Sequence, residues 1–422
     1  MDYVSVTIEK LKNHTSVFLT GGAGVGKTTI TRRVIEAYEN DAKKVAKLAS
    51  TGMAATLIGG QTLHSFFDLG IANNTQELQK NSKYEIKKKT KKLIASMDLI
   101  VIDEISMVSD TLFDMIALRL KQAEYKGPLL LVGDFLQLPP VVRGQQEVRF
   151  AFESKAWDEF CFEVLELTYI YRTDDVAFIE LLHNIRFGIV DEAIHNQLNS
   201  FIKPLPNDLS HFTFLFGKNI SASLHNKEQL EHIEGELFVK EAQIVRHQKN
   251  LKEYEIERFM EDARIEKELQ LKIGVQVLFT RNAWNYFNGE RGVVVNIDER
   301  FVYVQKSDGK VVKLEQVAQE KTLWKEKTIN GKKEMVQEAL FSVYQFPLKL
   351  AYAITIHKSQ GMSIENLLIQ TNEIFAPSQF YVALSRASNP KNLILIAPQK
   401  QWYELAFINK KAIEFVQKGR RC

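Results

Sequence analysis

Residues 16–29 read Ser16-Val17-Phe18-Leu19-Thr20-Gly21-Gly22-Ala23-Gly24-Val25-Gly26-Lys27-Thr28-Thr29, and the spacing Gly21-x-x-x-x-Gly26-Lys27-Thr28 suits a polyphosphate. Glycines permit the torsions that turn the N–H groups of Gly22, Ala23, Gly24, Val25 and Gly26 onto phosphate oxygens, and Thr28 and Thr29 start a helix whose N-terminus adds partial positive charge. Lys27 would reach the β- and γ-phosphates of ATP, and the Thr28 hydroxyl would ligate Mg²⁺. A dinucleotide fingerprint would need a third glycine where Lys27 stands.

Two acids and a glutamine complete the chemistry. Asp103 and Glu104 follow the apolar run Leu99-Ile100-Val101-Ile102, and adjacent acids there are costly to bury without a cation. Asp103 is the anchor for Mg²⁺, and Glu104 the base that positions water for attack on the γ-phosphate. Gln137 lies in Gly133-Asp134-Phe135-Leu136-Gln137-Leu138-Pro139-Pro140, where the prolines forbid a helix and place it to sense the γ-phosphate.

The elements that must position these groups are legible from periodicity. Residues 17–19 are a buried strand, and Ile30, Val34, Ile35 and Tyr38 mark one face of a helix. Residues 44–49, 99–102 and 129–132 are further strands, and their uninterrupted apolar character predicts burial on both faces in a parallel sheet. Ser50-Thr51-Gly52-Met53-Ala54-Ala55 and Thr62-Leu63-His64-Ser65-Phe66-Phe67 place small and hydroxyl residues at a strand's carboxyl end, where open α/β sheets bind ligands; a capped helix start would use the same residues. Leu57-Ile58-Gly59-Gly60-Gln61 imitates the transporter-ATPase signature but lacks its serine.

The 422 residues predict more than one domain, and 45% hydrophobic with 25% charged content is ordinary for a globular protein. A formal charge of +3 leaves nucleic-acid contacts to local patches. The lysines at 83, 87, 88, 89, 91 and 92 form one basic block, read chiefly as a solvated helix face in a surface insertion. Cys161 and Cys422 have no metal-ligand spacing, no apolar run reaches a membrane span, and residues 1–12 do not resemble a signal or transit peptide. A cytoplasmic location is expected, nuclear if the source is eukaryotic.

The second half opens near Leu167 with Tyr171-Arg172, a helix over 178–185, a strand over 212–216 and a helix over 218–231. From 236 to 344 short β runs alternate with turn signals Asn288-Gly289, Asp308-Gly309 and Asn330-Gly331, with a helical stretch over 251–265. The α/β texture returns at 348–353, followed by Thr355-Ile356-His357-Lys358-Ser359-Gln360-Gly361-Met362-Ser363, a strand over 367–370, a helix ending in Ser385-Arg386 and a last strand over 393–396. The first half offers only Lys27 against charge building on the transferred phosphoryl group. Arg172 and Arg386 are candidates for that role, the alternative being ordinary surface arginines.

In order and spacing these segments resemble the helicase motifs of superfamily 1, and their wording looks like the Pif helicases, DNA helicases related to RecD of the 5′-to-3′ branch. The most specific are residues 355–361, residues 133–140 and Gly60-x-Thr62-Leu63-His64-Ser65-Phe66; residues 104–119 look like the family's signature segment. The resemblance spans nearly the whole chain.

It implies an α/β fold of two RecA-like P-loop motor domains with parallel sheets. The first would comprise 1–63 and 84–168, with a small wedge over 64–83. The second would comprise 169–235 and 345–422, with an SH3-like β insertion over 236–344. Gln137, Arg172, Gly361 and Arg386 would join the phosphate loop around ATP. Thr51, Gly52, His64, Ser65, Phe66, Asn282, Thr355, His357, Lys358 and Ser359 would follow single-stranded DNA, although Phe66 and the histidines suit core packing equally. The implied activity is ATP- and Mg²⁺-dependent 5′-to-3′ translocation on single-stranded DNA with unwinding at junctions with duplex. G-quadruplexes and RNA–DNA hybrids would be further substrates, DNA repair, recombination and telomere maintenance the settings, and a monomer the working form. A DNA-stimulated ATPase clamp without autonomous unwinding is the alternative. A small-molecule kinase or GTPase is disfavoured, since no Asn-Lys-x-Asp motif is present. Relatives read the adenine edge with a glutamine upstream of the loop; residues 1–20 contain none, which leaves base selectivity open. The early position of the loop suggests a bacterial or phage source.

Overall fold

The computed structural model describes residues 2–50, 55, 58–70, 72–80, 85–141, 147–206, 208–209, 211–248, 251–263, 265–281, 283–286, 290–329 and 332–418. It divides into two compact units: residues 1–171 with 323–338 and 409–422, and residues 172–322 with 339–408.

The first unit is built on a six-stranded parallel sheet. Its strands are β1 (Val17–Gly21), β2 (Val45–Ala49), β3 (Gln61–Thr62), β4 (Leu99–Asp103), β5 (Leu129–Gly133) and β6 (Glu163–Leu167), in the spatial order β3-β2-β4-β5-β1-β6. Each residue of β1, β4 and β5 is buried, as a sheet covered on both faces demands. On one face Val17, Leu19, Leu99, Val101, Leu130 and Val132 pack with Val34, Ile35 and Tyr38 of the helix Lys27–Asn40. On the other, Phe18 meets Phe135 and Trp157 at ring-centroid distances of 5.4 and 5.8 Å. The buried Arg119, from the helix Asp110–Gln122, donates to the carbonyls of Phe67 and Asp68 at 3.1 Å each and pins the segment that leaves β3. Beyond it lie two helices, Thr75–Lys80 and Lys88–Ala95.

Residues 409–422, grouped by sequence with the second domain, belong to the first unit. Phe415 of the helix Lys410–Gln417 stacks on Phe152 at 4.2 Å, a non-local aromatic contact invisible to periodicity.

The second unit carries its own parallel sheet, ordered Ala353–Thr355, Thr213–Phe216, Leu367–Ile369, Leu393–Leu395. Helix Asn219–His232 lies against it, and Asn226 of that helix pairs with both the N–H and the carbonyl of Ala353, at 2.9 and 2.7 Å. The inserted region holds a five-stranded antiparallel sheet in the order Val311–Leu314, Val302–Lys306, Arg291–Ile297, Gln276–Phe279, Leu348–Leu350. Leu348–Leu350, read from sequence as the return of the α/β texture, is therefore the last strand of this sheet, with Leu350 opposite Val277. No turn signal separates it from Ala353–Thr355, so one apolar stretch serves two sheets. Phe238–Glu241 pairs antiparallel with Glu268–Leu271, Gln243–Arg246 pairs antiparallel with residues 341–344, and the helix Glu253–Ala263 lies between them in sequence.

Candidate nucleotide and nucleic-acid site

The carboxyl ends of β1, β5 and β4 lie side by side: Thr20 is opposite Gly133, and Ile102 opposite Leu131. The phosphate loop, the Gln137 turn and the acid pair thus issue from one edge of one sheet. Close packing there requires glycine. A Cβ on Gly21, whose φ is 143°, would lie 2.3 Å from the Leu167 carbonyl oxygen. Gly26 caps the helix Lys27–Asn40 with a left-handed φ of 87°, which opens the loop's N–H groups to the helix end.

Lys27 Nζ donates to the Gly21 and Gly22 carbonyls at 2.7 and 2.8 Å, so the ammonium is held over the loop. Asp103 is buried and accepts the Glu104 N–H at 2.9 Å. Burial pushes its carboxyl above the usual range, against the opposing pull of that N–H and of Lys27. A further cation would relieve the cost of ionising it. Among the described residues no group of three or more His, Cys, Asp or Glu could hold a metal, so one here would depend on hydroxyl, phosphate and water, the ligands Mg²⁺ favours. Asp103 and Thr28 fit that donor set.

Glu104 adopts a left-handed backbone, φ 52° and ψ 48°, rare for a residue with a Cβ. Gln137 is buried; its N–H donates to the Asp134 carbonyl at 2.9 Å, and its side-chain amide lies 3.4 Å from the Asp134 carboxylate. Tyr171, read from sequence only as the partner of Arg172, has a further place. Its N–H donates to the Gly24 carbonyl at 2.9 Å, and its ring lies 3.6 Å from where a Cβ on Gly26 would be. The ring is exposed and edge-on to Tyr169 at 4.6 Å. An aromatic residue just beyond the last strand of the P-loop sheet was the available signal.

In the second unit Arg172 and Arg386 converge on Ser385. Arg172 donates to the Ser385 carbonyl at 2.5 Å and the Ser363 hydroxyl at 3.0 Å. Lost hydration lowers its guanidinium to about 10, still charged at neutral pH. Arg386 is buried, and donates to the Ser385 hydroxyl at 2.8 Å and to the carbonyls of Val382, Ser359 and Met362 at 3.0, 3.3 and 3.4 Å. It is a brace of the loop that carries Gly361 rather than a surface residue, whereas Arg172 is half-buried.

The residues expected along DNA divide. Thr51, Gly52 and Asn282 lie outside the described residues. Ser65 is exposed, and His64, His357 and Lys358 are half-buried. Phe66 is core, edge-on to Phe67 at 5.0 Å. Thr355 and Ser359 are also buried: the Thr355 hydroxyl accepts the Lys358 N–H at 3.4 Å and the Ser359 hydroxyl donates to the Ile356 carbonyl at 2.8 Å. Their side chains shape the turn that presents His357 and Lys358, rather than facing a strand themselves.

A phosphate loop, a buried acid and a glutamine turn on one parallel edge, with a second parallel sheet elsewhere in the chain, define a P-loop nucleoside triphosphatase of RecA-like build. The PIF1-like helicase family matches residues 3–196. The ATP-dependent DNA helicase Pif1 of Campylobacter jejuni is 39% identical over 434 aligned positions, covering 97% of this chain and 96% of that protein. The chain belongs to the PIF1-like helicase family. Among solved structures, Bacteroides sp Pif1 in complex with ADP-AlF4 superposes with a TM-score of 0.84 at 26% identity, covering 99% of this chain and 96% of that one. The Bacteroides Pif1 helicase in complex with ADP-AlF3 and single-stranded DNA gives 0.66 at 26% identity, with the same coverage. No helix among the described residues is long and apolar enough to cross a membrane.

Proposed function

We propose that the chain is an ATP-dependent DNA helicase that moves 5′-to-3′ on single-stranded DNA and separates the opposite strand. The observation that carries this reading is the sheet edge where Lys27, Asp103, Glu104 and Gln137 converge, in a family whose Bacteroides member is solved with both a nucleotide analogue and single-stranded DNA. The loop N–H groups and Lys27 bind the phosphates, Glu104 takes a proton from the attacking water, and Gln137 orients that water beside the γ-phosphate. Thr28 and Asp103 would hold Mg²⁺, which supplies charge neutralisation at the phosphates. Arg172 and Arg386 are assigned the charge developing on the transferred group, with Gly361 beside them. The exposed Tyr171 ring offers the base a stacking face without edge recognition, so broad nucleotide acceptance is expected. His64, Ser65, His357 and Lys358 are assigned to DNA, the segment after Phe67 to the junction, and the antiparallel insertion to an SH3-like module.

The test is strand separation on duplexes carrying a 5′ tail, a 3′ tail or none, with ATP turnover followed in parallel. Unwinding of the 5′-tailed substrate alone is the expected result. DNA-stimulated turnover with no unwinding on any substrate would favour the clamp, and turnover indifferent to DNA would overturn both.

A further inference from the structure

We propose that the helix Lys410–Gln417 is a positioning element for Gln137, acting through Phe415 and Phe135. Phe415 stacks on Phe152 and meets Phe135 edge-on at 5.3 Å and Trp157 at 5.9 Å. Phe135 is fully buried and lies inside the turn that presents Gln137. Because the Gln137 N–H closes that turn on the Asp134 carbonyl and Leu136 and Leu138 are fully buried, a displacement at Phe135 carries Gln137 with it. Phe135 also touches Phe18 of β1, so the same ring abuts the strand that feeds the phosphate loop.

The helix is anchored beyond what a terminal covering needs. Asn409 caps it by accepting the Lys411 N–H at 3.0 Å. Lys411, one turn before Phe415, lies 2.8 Å from both Glu147 and Glu153, and Glu153 in turn accepts the Phe150 N–H. Cap, charge and aromatic contacts therefore secure successive turns of one helix. The second unit ends at Ile408 and this segment begins at Asn409, with no linker between.

The inference rests on the helicase reading and is tested on the full chain by ATP hydrolysis at saturating single-stranded oligonucleotide. Phe415→Ala is expected to lower kcat about tenfold with KM for ATP within about twofold, since misplacing a catalytic group by ~1 Å can cost ~100-fold. Phe415→Leu, which refills most of the space, should recover most of the loss. Phe415→Ala should add nothing to Gln137→Ala, because both act on one group. If Phe415→Ala melts below the assay temperature, Lys411→Ala loosens the anchor and leaves the cluster filled, and the same non-additivity with Gln137→Ala is expected. Wild-type kcat in Phe415→Ala, or effects that add to Gln137→Ala, would overturn this inference alone. A wild-type chain that hydrolyses no ATP would overturn the functional reading beneath it.

Discussion

Glu104 offers a test in which backbone strain and chemistry separate. Its φ of 52° and ψ of 48° sit in the left-handed well, where the Cβ of an L-residue crowds the following carbonyl at a cost of about 1–2 kcal/mol. Glu104→Ala and Glu104→Gly both delete the carboxylate and its contacts, but only glycine is free of that crowding. Glycine's greater freedom in the unfolded chain returns about 0.5–1 kcal/mol, so the glycine variant should be the more stable by about 0.5–1 kcal/mol. For a unit of this size that is about 1–4 °C in melting temperature by calorimetry. Turnover should fall about 10²–10⁴-fold in both, and in Glu104→Gln, which keeps size and strain but cannot take a proton. A glycine variant no more stable than the alanine one would refute the strain argument. Near wild-type turnover in Glu104→Gln would refute the assignment of the base.

Lys27→Ala should abolish ATP turnover while binding of a labelled oligonucleotide, followed by anisotropy, persists; unwinding by this variant would end the motor reading. Arg386→Ala removes donors from the carbonyls of Val382, Ser359 and Met362, and should lower kcat more than nucleotide affinity while destabilising the second unit by about 3 kcal/mol. Arg386→Lys, which keeps charge but not the fork, should rescue stability only in part; full activity in it would show that geometry is dispensable. Asp103 is raised by burial, so the nucleotide-free fold holds its proton to higher pH than the unfolded chain does. That contribution to stability is present at low pH and lost as pH rises through the raised value. Asp103→Asn should therefore gain on the wild type in urea melts as pH rises above about 4, the ordinary aspartate range, while losing hydrolysis; parallel curves would refute the shift.

The phosphate loop, its strand and helix, and the acids Asp103 and Glu104 after the apolar run 99–102 were all legible because each depends on neighbours in sequence: glycine torsions, apolar runs and helical periodicity. The left-handed turn at Glu104 was not, since nothing in glutamate announces it. Nor was the fate of Thr355, Ser359 and Phe66, whose side chains close turns and core rather than line a track. A hydroxyl in a motif looks the same whether it will meet a phosphate or a carbonyl of its own turn. The stacking of Phe415 on Phe152 joins residues far apart in the chain, and the division of one apolar stretch between Leu348–Leu350 and Ala353–Thr355 depends on which partner each strand finds.

Ser385 gives its carbonyl to Arg172 and its hydroxyl to Arg386. Two guanidiniums that would repel at close quarters therefore share one small residue, while Ser363 holds the first and the carbonyls of Val382, Ser359 and Met362 hold the second. A change confined to this serine would be felt by both charges at once.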